Sequence, residues 1–148
     1  MMRLSTRARY GTRALLELAL HWGEGPISLK DIAESQEVSE AYLQRLFRPL
    51  VAANLVTSTR GPKGGVLLLK PPGEVSLSEI IRLLEGPLGP VDCIANPDLC
   101  PRSDLCVTRD IWREMKLAIN GVLHSTTLKD LVERHREKEQ PRALMYYI

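Results

Sequence analysis

The chain has 148 residues, 44% of them hydrophobic, with a formal net charge of +2 and three cysteines. That describes one packed domain, or a small domain with an appendage, and excludes a disordered or fibrous chain. No apolar run reaches membrane-spanning length, and Arg3, Arg7, Arg9 and Arg13 interrupt any secretory leader, so a cytoplasmic protein with no membrane partner is expected.

The charge is unevenly spread. Residues 1–75 hold ten Lys and Arg against seven Asp and Glu, whereas residues 76–148 hold ten against eleven. The first half is therefore the one suited to a polyanion, and the arginine-rich N-terminus offers a phosphate-seeking surface. From Ser5 onward Tyr10, Ala14, Leu15, Leu18 and Trp22 recur at helical spacing until Gly23-Glu24-Gly25-Pro26 ends the run. Ser28-Leu29-Lys30-Asp31 reads as a capping box opening a short second helix. Ser39 is a good N-cap for a third, in which Tyr42, Leu43, Leu46, Phe47 and Leu50 form the apolar face. Two short helices joined by a tight turn describe a helix-turn-helix. Pro49 removes a backbone hydrogen bond late in the third helix and is expected to bend or restart it.

Leu55–Thr59 and Val66–Leu69 read as strands around the tip Arg60-Gly61-Pro62-Lys63-Gly64-Gly65, a hairpin with a basic end. Helices followed by such a hairpin predict a winged helix, mainly α with a small β wing, whose third helix enters the major groove while the wing follows the minor groove. Ser39, Tyr42, Gln44, Arg45 and Arg48 supply donors and acceptors for base edges and phosphates, and Arg60 is the expected minor-groove probe. Arg3, Ser28 and Lys63 complete the DNA contacts expected from these elements. Glycines 61, 64 and 65 are expected to let backbone approach a phosphate.

Ser76-Leu77-Ser78-Glu79 opens another helix, closed by Gly86-Pro87. Beyond Cys106, Thr108 is the expected cap of a helix over about 108–123, with Ile111, Met115, Ala118 and Val122 on one face and Trp112 and Ile119 widening it. Such a helix needs a partner: a second copy of the chain gives a homodimer suited to a pseudo-palindromic site on double-stranded DNA, and packing against its own domain is the alternative. Thr127-Leu128-Lys129-Asp130 starts a short final helix, and a loose end is expected from Glu137 to Ile148. The division is thus a winged helix-turn-helix over 1–75, and over 76–148 a sensor segment (about 90–107), a dimerisation helix and a C-terminal tail. His21, His124 and His135 stand apart from any nucleophile, and no catalytic, Walker or dinucleotide motif is present, so no enzyme is expected.

All three cysteines, Cys93, Cys100 and Cys106, fall within fourteen residues in a proline-rich stretch without apolar periodicity. Something other than packing is expected to order it. An odd number of thiols in a reducing compartment points to ligands or redox groups rather than disulfides. Structural zinc takes tighter hooks than these gaps of six and five residues, which suit loops around a larger inorganic core. Redox-active thiols without a metal, or a small iron-sulfur electron carrier, are the alternatives.

These residues together resemble the Rrf-two family of bacterial winged-helix regulators, over nearly the whole chain. The resemblance rests on Met2-Arg3-Leu4-Ser5 with Arg9-Tyr10, on Ser39-Glu40-Ala41-Tyr42-Leu43-Gln44, on Leu55-Val56 with the tip Arg60 to Gly65, and on the cysteine triplet. It implies a homodimeric transcription regulator in which a cluster on Cys93, Cys100 and Cys106 reports iron-sulfur status, redox or nitric oxide. A 2Fe-2S cluster is preferred over 4Fe-4S. It also adds Ala41 and Gly61 to the DNA contacts, and places Gln44 where IscR-like members carry a base-reading glutamate; glutamine pairs instead with adenine. In IscR-like members a histidine three residues after the third cysteine is the fourth ligand, and here that position is Arg109. NsrR-like members use an aspartate near the partner's N-terminus, and here that position is Arg9. Asp110 or Asp104, with Asp98 a further oxygen donor, or an exogenous ligand, is left to complete the site.

Overall fold

The computed structural model describes residues 3–146; Met2 and residues 147–148, which entered the expectations above, lie outside the described residues. Helix α1 spans Thr6–Leu20, α2 Leu29–Gln36, α3 Glu40–Ala52, α4 Leu77–Leu84, α5 Asp92–Ala95, α6 Val107–Ser125 and α7 Leu128–Tyr146. Strands β1 (Val56–Thr59) and β2 (Gly65–Leu68) form the antiparallel hairpin, with Val56 opposite Leu68 and Thr59 opposite Gly65. The chain is mainly α with a β-hairpin wing.

Helix starts follow their caps. Ser28, Ser39 and Ser76 each accept from the backbone N–H three residues on, at 3.1, 3.1 and 3.2 Å, satisfying a donor that the first turn leaves without a helical partner. Between α2 and α3 the chain turns through Glu37 in the left-handed region (φ 57°). Helix α3 continues through Pro49 to Ala52, so the proline neither ends nor restarts it, and its carbonyl still accepts from Ala53 N–H at 3.1 Å.

Leu15 and Leu18 of α1, Ile32 of α2, Leu43, Leu46 and Leu50 of α3, and Val56, Val66 and Leu68 of the wing share one core with Ile80 and Leu84 of α4. Leu128 and Val132 of α7 belong to the same cluster. Two isolated bridges fix the frame. Ile27 pairs with Val66, joining the entry of α2 to the wing, and Ser76 pairs with Thr127, joining the start of α4 to the start of α7. Helix α7 runs much further than the short helix expected, through the segment read as loose. Its residues Glu133, Glu137, Lys138 and Glu139 are helix formers, and His135 Nε2 meets Glu139 at 3.1 Å one turn on. No helix among the described residues is long and apolar enough to cross a membrane.

Candidate nucleic-acid interface and cysteine segment

Helix α3 divides cleanly. Leu43, Leu46, Phe47 and Leu50 are buried, and Ala41, Gln44, Arg45 and Arg48 are exposed at i, i+3, i+4 and i+7, one face of the helix. The structure therefore brings these four expected contacts together, with the exposed Ser39 capping the helix and Tyr42 half-buried beside them. Tyr42 is held edge-on to Tyr10 of α1 (centroids 6.3 Å apart, planes at 87°). Arg45 lies over the Tyr42 ring at 5.9 Å and Arg13 over the Tyr10 ring at 5.4 Å. This chain of two guanidiniums and two rings pre-positions two cations at the α1–α3 junction. Tyr10 was expected only as an apolar position and Arg13 only as charge; their spacing on α1 gave no hint of a partner on α3.

Ser28 is half-buried and its hydroxyl is committed to the α2 cap. Arg3 is exposed just before α1. Arg60, Gly61 and Lys63 are all exposed at the wing tip, where Gly61 adopts φ 109°, conformational space that favours glycine, and accepts from Gly64 N–H at 2.9 Å. Gly64 and Gly65 have a reason to be bare within the chain itself. A Cβ at Gly64 would lie 2.3 Å from the Thr59 carbonyl oxygen, and one at Gly65 2.2 Å from that of Ile27. Both are bare because the chain's own backbone passes there. Arg7, though exposed, also donates its Nη2 to the Leu84 carbonyl at 2.8 Å and caps the C-terminal end of α4.

The cysteine segment joins α4 to α6. Cys93 sits in α5, Cys100 follows a single 3-10 turn (Pro97–Leu99), and Cys106 is the N-cap of α6, two residues earlier than the Thr108 cap expected. All three thiols are unpaired and half-buried. Protein hydrogen bonds, rather than apolar packing, tie this stretch together. Ser103, only 8% exposed, donates its hydroxyl to the carbonyls of Pro97 (2.6 Å) and Cys100 (2.8 Å), and Arg109, 9% exposed, donates Nε to the Cys93 carbonyl at 3.3 Å. Ser103 carried no sequence signal and Arg109 stood out only at the fourth-ligand position of the family, because both bonds close a fold only the backbone path reveals.

Cys106 Sγ lies 3.1 Å from the Thr108 hydroxyl. That hydroxyl, followed by the backbone N–H of Arg109, holds its thiol below the ordinary range. Asp98, Asp104 and Asp110 are exposed, and among the described residues no three His, Cys, Asp or Glu side chains converge as a metal-binding group. In chemistry the three unpaired thiols are the soft donors an iron-sulfur cluster takes. Arg109, turned to the Cys93 carbonyl, is no fourth donor.

Helix α6 has two faces. Trp112, Lys116, Ile119 and Leu123 are partly covered, while Ile111 (50% exposed), Met115 (37%) and Val122 (64%) line the open side with the exposed Ala118. The apolar stripe read from the sequence is therefore the uncovered one, and Trp112 and Ile119 belong to the adjacent, packed face.

A family model described as "Rrf2: Iron-dependent Transcriptional regulator" matches residues 4–134. The chain belongs to the Rrf2 family. It is 42% identical over 131 residues to protein rrf2 of Nitratidesulfovibrio vulgaris, covering 88% of this chain and 87% of that protein. It is also 42% identical over 147 residues to the HTH-type transcriptional regulator CymR of Bacillus subtilis, covering 99% of this chain and all of that one. The solved structure of B. subtilis CymR, described as the global cysteine regulator, superposes with a TM-score of 0.78 over 90% of this chain and 98% of its own. That of T. potens IscR gives 0.76 at 40% identity, over 93% and 90%. This Rrf2 protein is a winged-helix transcriptional regulator and not an enzyme.

Proposed function

We propose that this regulator binds a pseudo-palindromic operator as a homodimer and that an iron-sulfur cluster on Cys93, Cys100 and Cys106 controls that binding. The observation carrying the reading is that every cysteine of the chain is unpaired and lies on one segment strung between α4, packed on the DNA-reading core, and α6, whose open face is apolar. Residues 1–75 read DNA, and 76–148 sense and dimerise. Acting on DNA, the protein works in the cytoplasm.

In the DNA complex α3 enters the major groove. Gln44 faces base edges, where glutamine pairs bidentately with adenine, while Ala41 leaves room for a neighbouring base and Ser39, Tyr42, Arg45 and Arg48 meet phosphates or further edges. Arg60 enters the minor groove, with Gly61, Lys63, Arg3 and Ser28 at the flanking backbone. Ile111, Met115 and Val122 bury against the same helix of a second copy, setting the distance between two α3 helices.

The three thiols supply three ligands of a cluster, 2Fe-2S in preference to 4Fe-4S, with Asp110, Asp104 or an exogenous group as the fourth. When bound, such a cluster supplies one-electron redox chemistry and an iron reactive towards oxygen or nitric oxide. The protein's own part is to relay the segment's position: Arg109 ties the Cys93 carbonyl to the first turn of α6, and Cys106 begins that helix.

The decisive measurement is iron and sulfide content of protein isolated without oxygen, paired with operator affinity before and after cluster removal at fixed salt. Iron-bearing protein whose affinity changes by roughly 5- to 150-fold, about 1 to 3 kcal/mol, is the expected result. Iron-free protein, or equal affinities in both forms, overturns it. A second reading, sensing by cysteine oxidation without a cluster, is favoured by the lowered Cys106 thiol and by the absence of a convergent donor group among the described residues. Under it, iron-free protein still loses or gains operator affinity on mild oxidation.

A further inference from the structure

A cavity of about 410 Å³ opens between α4 and α6, with no residue of α3 in its lining. Its size falls in the range that small-molecule sites occupy. Three basic side chains line it: Arg82 from α4, and Lys116 and His124 from α6. No Asp or Glu is among its lining residues. Glu79 of α4 and Glu85 just after it are both committed elsewhere. Glu79 Oε1 pairs with Lys70 Nζ at 2.9 Å, and Glu85 accepts from Ser5. Among the described residues, no hydrogen bond or ion pair engages the side chains of Arg82, Lys116 or His124. Ile81, 5% exposed, and Leu123 give the cavity an apolar wall, and the Ser78 hydroxyl and Asn120 amide add neutral hydrogen-bonding groups.

Two cations and an imidazole brought from elements far apart in sequence onto one apolar-walled cavity describe a receptor for an anion with a hydrocarbon body. A purely inorganic anion would leave the Ile81 and Leu123 wall without a partner, and an uncharged ligand would make no charge-assisted bond to the guanidinium and ammonium. We propose that this cavity is a binding site for a small organic acid, its carboxylate held by Arg82 and Lys116 and its apolar body against Ile81 and Leu123. The site uses none of the thiols and none of the residues assigned to DNA, so it stands apart from the cluster reading.

Titration of the isotope-labelled full chain with hexanoate, benzoate, hexanol and inorganic phosphate, followed by backbone amide shifts, tests the assignment. Hexanoate or benzoate is expected to shift the amides of Ile81, Leu88 and Leu123 saturably, and more tightly than phosphate or hexanol. The R82Q/K116Q variant, altered at one exposed and one half-buried position, is expected to keep its amide spectrum elsewhere and to bind roughly tenfold or more weakly. No saturable response at millimolar probe overturns the proposal. So does phosphate or hexanol binding as tightly as hexanoate, or an R82Q/K116Q variant that binds like the parent.

Discussion

Ser5 and Glu85, eighty residues apart, hold the beginning of one helix to the end of another: the Glu85 carboxylate accepts from the Ser5 backbone N–H at 3.3 Å and also from its hydroxyl. The same Ser5 oxygen accepts from Ala8 N–H at 3.1 Å as the α1 cap, and Arg7 answers from α1 by donating to Leu84 at 2.8 Å. A carboxylate thus sits at the positive end of α1 and a guanidinium at the negative end of α4. Replacing Glu85 with Gln keeps one acceptor and removes the charge, and Glu85→Ala removes both. Losses of about 0.5 and about 1 to 2 kcal/mol are expected. Urea unfolding of E85Q, E85A, R7A and the E85A/R7A pair measures them, and a coupling near zero in the cycle would show that the two contacts act separately.

Gly11 is needed where α1 crosses α4. A Cβ there would sit 2.4 Å from Leu84 Cδ1, and Leu84 is 2% exposed in a filled core. Gly11→Ala gains up to about 1 kcal/mol of helix propensity but forces a buried side chain to move, which costs about 1 to 3 kcal/mol. Net destabilisation is expected, and Leu84→Val in the same chain is expected to return part of it. A G11A protein more stable than the parent in thermal unfolding contradicts this.

On DNA the two candidate reading positions separate by kind of effect. Gln44→Ala is expected to weaken the preferred operator by about 1 to 3 kcal/mol while leaving random-sequence DNA unaffected. Lys63→Ala is expected to weaken all sequences alike and to lower the salt slope by about one. Fluorescence anisotropy over a salt series distinguishes them, and interchangeable behaviour of the two variants would refute the assignment of Gln44 to base edges.

Asp130 closes the box that begins α7. It accepts from Thr127 N–H at 2.8 Å and from its hydroxyl at 3.1 Å, and these bonds hold its carboxyl below the ordinary value of 3.8. A carboxyl depressed in the folded state contributes stability above its unfolded value and loses it as pH falls through the folded one. The parent chain is therefore expected to shed this contribution only in the acid range below 3.8, whereas Asp130→Asn lacks it at neutral pH and shows a flatter acid limb. Thermal midpoints from neutral pH into the acid range, compared between the two, check the sign.

Much of this architecture is legible in the residues because helix starts are local events. Ser28, Ser39, Ser76 and Thr127 each announce a helix within four residues, and the Gly-Pro tip announces the hairpin. What escapes is set by distant partners. Arg7 reads as surface charge until Leu84 O is beside it, Gly65 reads as freedom until Ile27 O is beside it, Ser103 reads as filler until Pro97 and Cys100 present their carbonyls, and Arg109 reads as a missing ligand until that of Cys93 does. At the candidate site, the exposed row Ala41, Gln44, Arg45 and Arg48 follows from helical periodicity alone, but the Tyr10–Tyr42 contact that steadies it requires two helices to meet.

The pairing of Ile27 with Val66, through N–H to O distances of 3.0 and 2.8 Å, has a consequence for how a signal can act. It welds the hairpin to the entry of α2, which packs in one core with α3, so within a subunit the wing and the helix-turn-helix are a single calliper of fixed jaw. Tuning such an instrument leaves only one adjustment: the spacing and tilt at which two callipers are mounted.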